Sequence, residues 1–201
     1  MKRLGTKLVR IMSFAILDGK PIGEQLAEER FRRLRELKKL FDDAGLIPVH
    51  ENCMNYGGMG WTCTQHLLEN VPGLKLVFDT GNPVFNPDYI KPEPRPRQSS
   101  WEFWEKVRDH VVYFHIKDGI WNSEKNGITY TFPGEGQGDV KRIMADAIRR
   151  GYNGGISIEP HLSVVFHDAE TKSEQDIRYA NYVEYGKRMG RILSDLGAKL
   201  E

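Results

Sequence analysis

Five short apolar runs punctuate the chain, and most of them stop on or beside a residue that can carry chemistry. They are Leu8–Ile16, Leu46–His50, Leu74–Phe78, Val111–Ile116 and Ile156–Ile158. Runs this short, rich in Val, Ile, Leu and Phe, suit strands covered by other structure. Between them lie segments of helical period. From Glu24 to Ala44 the apolar positions Ala27, Phe31, Leu34, Leu37, Phe41 and Ala44 share one face, Glu28–Arg32 and Glu29–Arg33 support the wet face, and Gly45 ends the helix. A short helix over Thr64–Val71 is closed by Pro72-Gly73, and the Ser99-x-x-Glu102 spacing forms a capping box for a helix reaching about Asp109. Asp139 is placed to cap a helix bearing Val140, Ile143, Met144 and Ala147, closed by Gly151, and Ile177–Leu196 forms the last helix. The proline-rich stretch Asn82–Gln98 reads as a loop, and so does the region around Gly134-Glu135-Gly136. Strands alternating with helices predict βαβ units, hence an α/β fold with a parallel sheet. No linker or low-complexity tract divides residues 1–201, which read as one domain.

The composition narrows the function. Lys and Arg number 29 against 28 Asp and Glu, well mixed, so the chain lacks the basic stripe that nucleic acid would require. No run approaches the ~20 apolar residues of a membrane span. The early apolar stretch is interrupted by Arg10 and Asp18, against a signal peptide. Cys53 and Cys63 are the only cysteines, too few for a disulfide framework or a cysteine zinc site. Free thiols and the lack of a leader predict a cytoplasmic protein.

Four strand ends carry a metal-competent residue: Glu51, Asp79, His115 and Glu159. Taken singly, a strand-end acid is more often a helix cap or ion-pair partner, and a lone histidine more often a core residue. Four on successive strands are harder to explain that way, because acids beside apolar runs are costly unless a charge compensates them. A divalent cation would do so. In parallel α/β barrels the catalytic groups come from the C-terminal ends of several strands. Three carboxylates and one imidazole make a mostly oxygen site that suits Mn²⁺ best, with Mg²⁺, Co²⁺ or Zn²⁺ compatible.

The runs His50-Glu51-Asn52, Phe78-Asp79-Thr80-Gly81, His115-Ile116-Lys117-Asp118, Gly134-Glu135-Gly136 and Ile158-Glu159-Pro160-His161, in this order and spacing, resemble the xylose isomerase-like TIM barrels, the sugar phosphate isomerase/epimerase superfamily. The resemblance runs from about Leu4 to Tyr185. It implies one divalent metal on Glu51, Asp79, His115 and Glu159, and a sugar or sugar phosphate substrate flanked by Glu51 and Glu159 as acid and base. The reaction it implies is isomerisation or epimerisation through an enediolate. Asn82, Lys117, Asp118, Glu135 and His161 are the expected substrate contacts, and a homo-oligomer is compatible with the family. Trp61 and Trp121 are further candidates for stacking on a sugar ring.

Two departures qualify this. The family often has histidine three residues after the strand-end aspartate. Here that residue is Asn82, which can hold a hydroxyl but cannot transfer a proton at neutral pH. That keeps a dehydratase or lyase open. Further, a barrel of this type closes eight strands over ~250 residues, whereas only the equivalents of the last five occur here. The expected architecture is therefore an incomplete barrel with Leu8–Ile16 at one edge and Ile156–Ile158 at the other. The rivals are a truncated or degenerate barrel that only binds a sugar or a partner, and a metal hydrolase of endonuclease IV type. The latter would need more strand-end histidines than His50, His66, His110, His115, His161 and His167 provide.

Overall fold

The computed structural model of the chain describes residues 2–162 and 174–198, so His167 lies outside the described residues. In chain order the strands are β1 (Leu8–Ile11), β2 (Ile47–Glu51), β3 (Lys75–Asp79), β4 (Val111–Ile116), β5 (Gly119–Asn122), β6 (Gly127–Tyr130) and β7 (Gly155–Ile158). The helices are α1 (Ala27–Asp43), α2 (Trp61–Asn70), α3 (Asn82–Phe85), α4 (Ser100–Val107), α5 (Val140–Arg149) and α6 (Glu174–Asp195). Five strands pair in parallel in the order β1-β2-β3-β4-β7 and curl into a half-barrel with helices outside. β1 and β7 are its two edges, as the strand pattern predicts.

Alternation along the strands sorts the residues. One face of β3 and β4 carries Leu76, Phe78, Phe114 and Ile116, which pack with Phe103, Trp104 and Val107 of α4, Ile143 and Met144 of α5, and Tyr185 and Met189 of α6. Trp104 and Phe114 sit at the centre of this layer, with ring centroids 5.3 Å apart. The opposite, concave face receives the alternate residues, among them Arg10, Glu51, Asp79, His115 and, just past β7, Glu159. One irregularity makes this sorting work. The β3–β4 register runs Leu76↔Val111 and then jumps to Val77↔Tyr113, so Val112 has no opposite number and Asp79 comes to lie beside His115.

Several expectations need correction. β1 ends at Ile11 rather than Ile16, because the backbone at Phe14 turns to φ 69, outside the extended region. The stretch after Asp79 is not all loop. Asn82–Phe85 forms a helical turn, which Pro83 tolerates because the first turn needs no N–H from it. Residues 119–130 form the antiparallel hairpin β5–β6 instead of loop. Asp139 sits at the start of α5 but caps nothing with its side chain; its own backbone is left-handed at φ 52. The cap at Ser99 is as expected, its Oγ accepting from the Glu102 N–H at 3.1 Å.

Candidate metal and acid–base site

Each residue at the concave rim is held by its own strand and by a neighbouring loop. Asp79 is fully buried at the end of β3. Its Oδ1 accepts from the backbone N–H groups of Gly81 and Asn82, both at 2.8 Å, in the first turn of α3. The side chain of Asn52 extends the β2–β3 pairing by one rung, its Oδ1 accepting from Asp79 N–H and its Nδ2 donating to Asp79 C=O. Thr80 Oγ1 donates to the Lys117 carbonyl at 2.7 Å. At Gly81 a Cβ would meet Lys117 at 2.9 to 3.0 Å, so only glycine lets that lysine lie against the turn. Lys117 Nζ thereby reaches Asp79 Oδ2 at 3.0 Å and Glu159 Oε2 at 2.9 Å. His115 Nδ1 bridges the remaining carboxylates, 3.0 Å from Glu51 Oε1 and 2.8 Å from Glu159 Oε1. Arg10, from the edge strand, donates to Glu51 Oε2.

The chain thus brings Glu51, Asp79, His115 and Glu159 together. Each offers one ligand atom, and the four atoms lie within 4.8 Å of one another. Ligands of one ion at ~2.0–2.6 Å are separated by no more than about twice that distance, so the donor set fits a single divalent cation. The charges are strongly coupled. Burial opposes the charge on His115, but the hydrogen bonds to Glu159 and Glu51 outweigh it and lift the imidazolium to about 9. The His115 hydrogen bond, aided by Lys117, holds Glu159 down at about 2 against its own burial. Burial pushes the Asp79 carboxyl up, and the nearby Glu159 and Glu51 charges add to this despite Lys117. Lys117 is itself desolvated, yet Asp79 and Glu159 keep it charged well above the ordinary lysine range.

The expected substrate contacts divide. Asn82 joins the site, its Oδ1 3.3 Å from Lys117 Nζ and its buried Nδ2 without a partner. His161 lies two residues past Glu159, with its ring 4.9 Å from that of Tyr130. Lys117 is a buried member of the cluster rather than a surface ion pair. Asp118 is also buried, but its two oxygens are taken by the backbone N–H groups of Gly119, Gly134, Gly136 and Gly138. Glu135 is exposed and paired with Arg188 at 2.5 Å, outside the cluster. The two tryptophans are occupied elsewhere: Trp61 donates to Glu102, and Trp121 is covered by Arg97. Sequence reasoning missed Arg10 and Tyr130. Arg10 has the same strand parity as the rim residues, which could have exposed it. Tyr130 lies on a hairpin joined by a four-residue loop, 123–126, whose one turn signal is the left-handed Asn126.

A family model for the xylose isomerase-like TIM barrel matches residues 1–183. Among solved structures, a D-tagatose 3-epimerase-like protein superposes with a TM-score of 0.68 at 17% identity, over 96% of this chain and 64% of that one. A xylose isomerase domain protein from Planctomyces limnophilus gives 0.65 at 15% identity, over 96% and 60%. A xylose isomerase-like TIM barrel protein from Mycobacterium smegmatis, solved in complex with magnesium, gives 0.65 at 17% identity, over 97% and 63%. At such identities the likeness is one of fold, and the chain spans less than two thirds of each of these proteins. No curated protein matches the sequence. No helix among the described residues is long and apolar enough to cross a membrane. By its strand order, its curled sheet and the span of the family match, this chain belongs to the xylose isomerase-like TIM barrel family.

Proposed function

We propose that the chain carries the metal-binding and acid–base groups of a divalent-metal-dependent isomerase or epimerase acting on a sugar or sugar phosphate. The observation that carries this reading is the convergence of Glu51, Asp79, His115 and Glu159 within 4.8 Å on the concave face. Those four residues would hold the cation, Mn²⁺ or Mg²⁺ by its oxygen-rich donors, and a bound cation supplies Lewis-acid polarisation of substrate oxygens.

The protein groups supply the rest. Glu159 is the more open carboxylate, 29% exposed against 2% for Glu51. His115 and Lys117 hold it ionised, so it is in the form that takes a proton from a carbon beside a carbonyl. Glu51 returns one after first taking up a proton, because, against its own burial, His115 and Arg10 hold its carboxyl low. Lys117 Nζ donates to a substrate oxygen that gains negative charge, and Asn82 positions a hydroxyl without moving a proton.

The test is turnover in deuterium oxide with Mn²⁺ present: a ketose substrate should acquire deuterium at the carbon next to its carbonyl. Glu159→Gln should lower that exchange by ~10²-fold or more. Product formed without deuterium would remove the carboxylates from proton transfer. One observation favours a second reading, a sugar-binding module without metal: His115, Lys117 and Arg10 already pair with all three carboxylates. Calorimetric titration with Mn²⁺ separates the two, since a metal-free binder would give no heat that depends on Asp79 or His115.

A further inference from the structure

Beside the acid–base cluster three rings stand in a row. Phe85, from α3, meets Tyr130 edge-on with centroids 5.4 Å apart, and Tyr130 in turn lies 4.9 Å from His161, tilted by 33°. The row therefore links the loops that follow β3, β4 and β7, the strands that end in Asp79, His115 and Glu159. It is held by packing with little slack. Tyr130 pairs with Gly119 at the base of the β5–β6 hairpin, and a Cβ on Gly119 would meet the Phe85 ring at 3.0 Å and the Thr129 carbonyl at 2.9 Å. Asp118 fixes the same base by accepting from Gly119 N–H.

The row borders polar groups with unspent capacity. Phe85 shares the α3 turn with Asn82, whose Oδ1 meets Lys117 Nζ, and His161 follows Glu159 by two residues, so both ends of the row are tied to the cluster. Asn82 is 9% exposed, touches Lys117 through Oδ1, and has a buried Nδ2 without a partner. His161 Nδ1 is likewise buried and without a partner. An orphaned amide donor costs free energy in the free protein that a ligand oxygen would recover. Apolar ring faces beside such donors match a polyol chain, whose C–H faces are apolar and whose hydroxyls accept hydrogen bonds.

We propose that Phe85, Tyr130 and His161, with Asn82 Nδ2, form a distal subsite that holds the carbon chain of the substrate beyond the reacting carbons, and that Tyr130 sets the preferred chain length. This rests on the sugar-isomerase reading and adds a substrate class to it: ketoses long enough to lay carbons 4 to 6 along the rings. Tyr130 acts by its ring face, so its hydroxyl is dispensable.

The test uses the Mn²⁺-loaded protein and two probes, dihydroxyacetone and D-fructose, followed by deuterium exchange. Tyr130→Ala should raise KM for D-fructose by about tenfold with kcat within about twofold, and should leave dihydroxyacetone unchanged. Tyr130→Phe should behave as wild type, and Tyr130→Leu, which keeps apolar bulk should alanine fold poorly, should fall between. Saturation-transfer NMR with the Mg²⁺-loaded protein gives a readout free of turnover: D-fructose protons on carbons 4 to 6 should receive transfer from the aromatic resonances, and lose it in Tyr130→Ala. Exchange by wild type with equal losses on both probes in Tyr130→Ala would overturn the subsite and leave the isomerase reading standing. Chain-length-dependent transfer without exchange would do the reverse, and no transfer and no exchange with either probe would overturn both.

Discussion

Asp118→Asn tests how one buried carboxylate organises the rim. Asp118 Oδ1 accepts from Gly119 N–H and Gly138 N–H, both at 2.9 Å, and Oδ2 accepts from Gly134 N–H at 2.8 Å and Gly136 N–H at 3.0 Å. Asparagine keeps one acceptor oxygen and turns an NH₂ group toward the other two donors. The amide should keep its oxygen on the buried pair, Gly119 and Gly138, and face the half-buried pair with the wrong polarity. Bonds to a charged acceptor are worth about 1.5–3 kcal/mol each. Water can replace part of the two lost, and the asparagine escapes the desolvation that pushes the Asp118 carboxyl up. A net loss of about 2–3 kcal/mol remains. Alanine frees all four donors, two of them buried, and should cost about 4–6 kcal/mol. Urea denaturation at neutral pH measures this, read from the midpoint with m unchanged. An asparagine variant within ~0.5 kcal/mol of wild type would refute the ledger, since that scatter is expected of any surface change.

Further outcomes follow from the same geometry. Asp79→Asn should weaken Mn²⁺ binding by at least about tenfold in calorimetry, while Glu135→Gln, outside the cluster, should leave it unchanged. Trp104→Ala should cost about 3–5 kcal/mol in urea denaturation, because it empties the centre of the outer layer and removes the Nε1 donor to Asp146. Asn82→Ala should raise KM several-fold with little change in kcat in the deuterium assay, as expected of a group that positions and does not transfer a proton. Arg10→Ala should weaken Mn²⁺ binding less than Asp79→Asn does, because Arg10 steadies Glu51 without offering a ligand.

The sheet was legible because its signal is local: short apolar runs alternating with helical periods, three of the five stopping directly at an acid. The four rim residues were legible for the same reason, since strand ends in parallel sheets share one rim. What escaped depends on contacts between residues distant in the chain. Arg10 and Glu51 are 41 positions apart, and Lys117 meets Asp79 across 38. The sequence around Asp118 reads as a polar loop, and nothing near it announces that its carboxylate is spent on glycine N–H groups up to 20 residues on. The hairpin is different: its four-residue loop, 123–126, is no tight-turn dipeptide, and its four-residue strands carry too little alternation to compete with the surrounding glycines. His115 and Lys117 stand two positions apart, so the alternation of an extended chain sends both to the same cluster.

The unmatched Val112 works like a frameshift in the sheet. With uninterrupted pairing from Leu76↔Val111, Asp79 would face Phe114, and His115 would move to the rung beyond. Side chains alternate, so each error of one place also exchanges inside for outside. The extra residue lets Val111 and Phe114, three apart, both join the outer core, and it sets the imidazole in phase with the acids of β2 and β3. Deleting Val112 would close the bulge and keep Asp79 beside His115, whereas inserting one residue after Tyr113 would trade an aromatic core contact for an imidazole. Two edits of equal length at one spot therefore differ sharply in their chemistry.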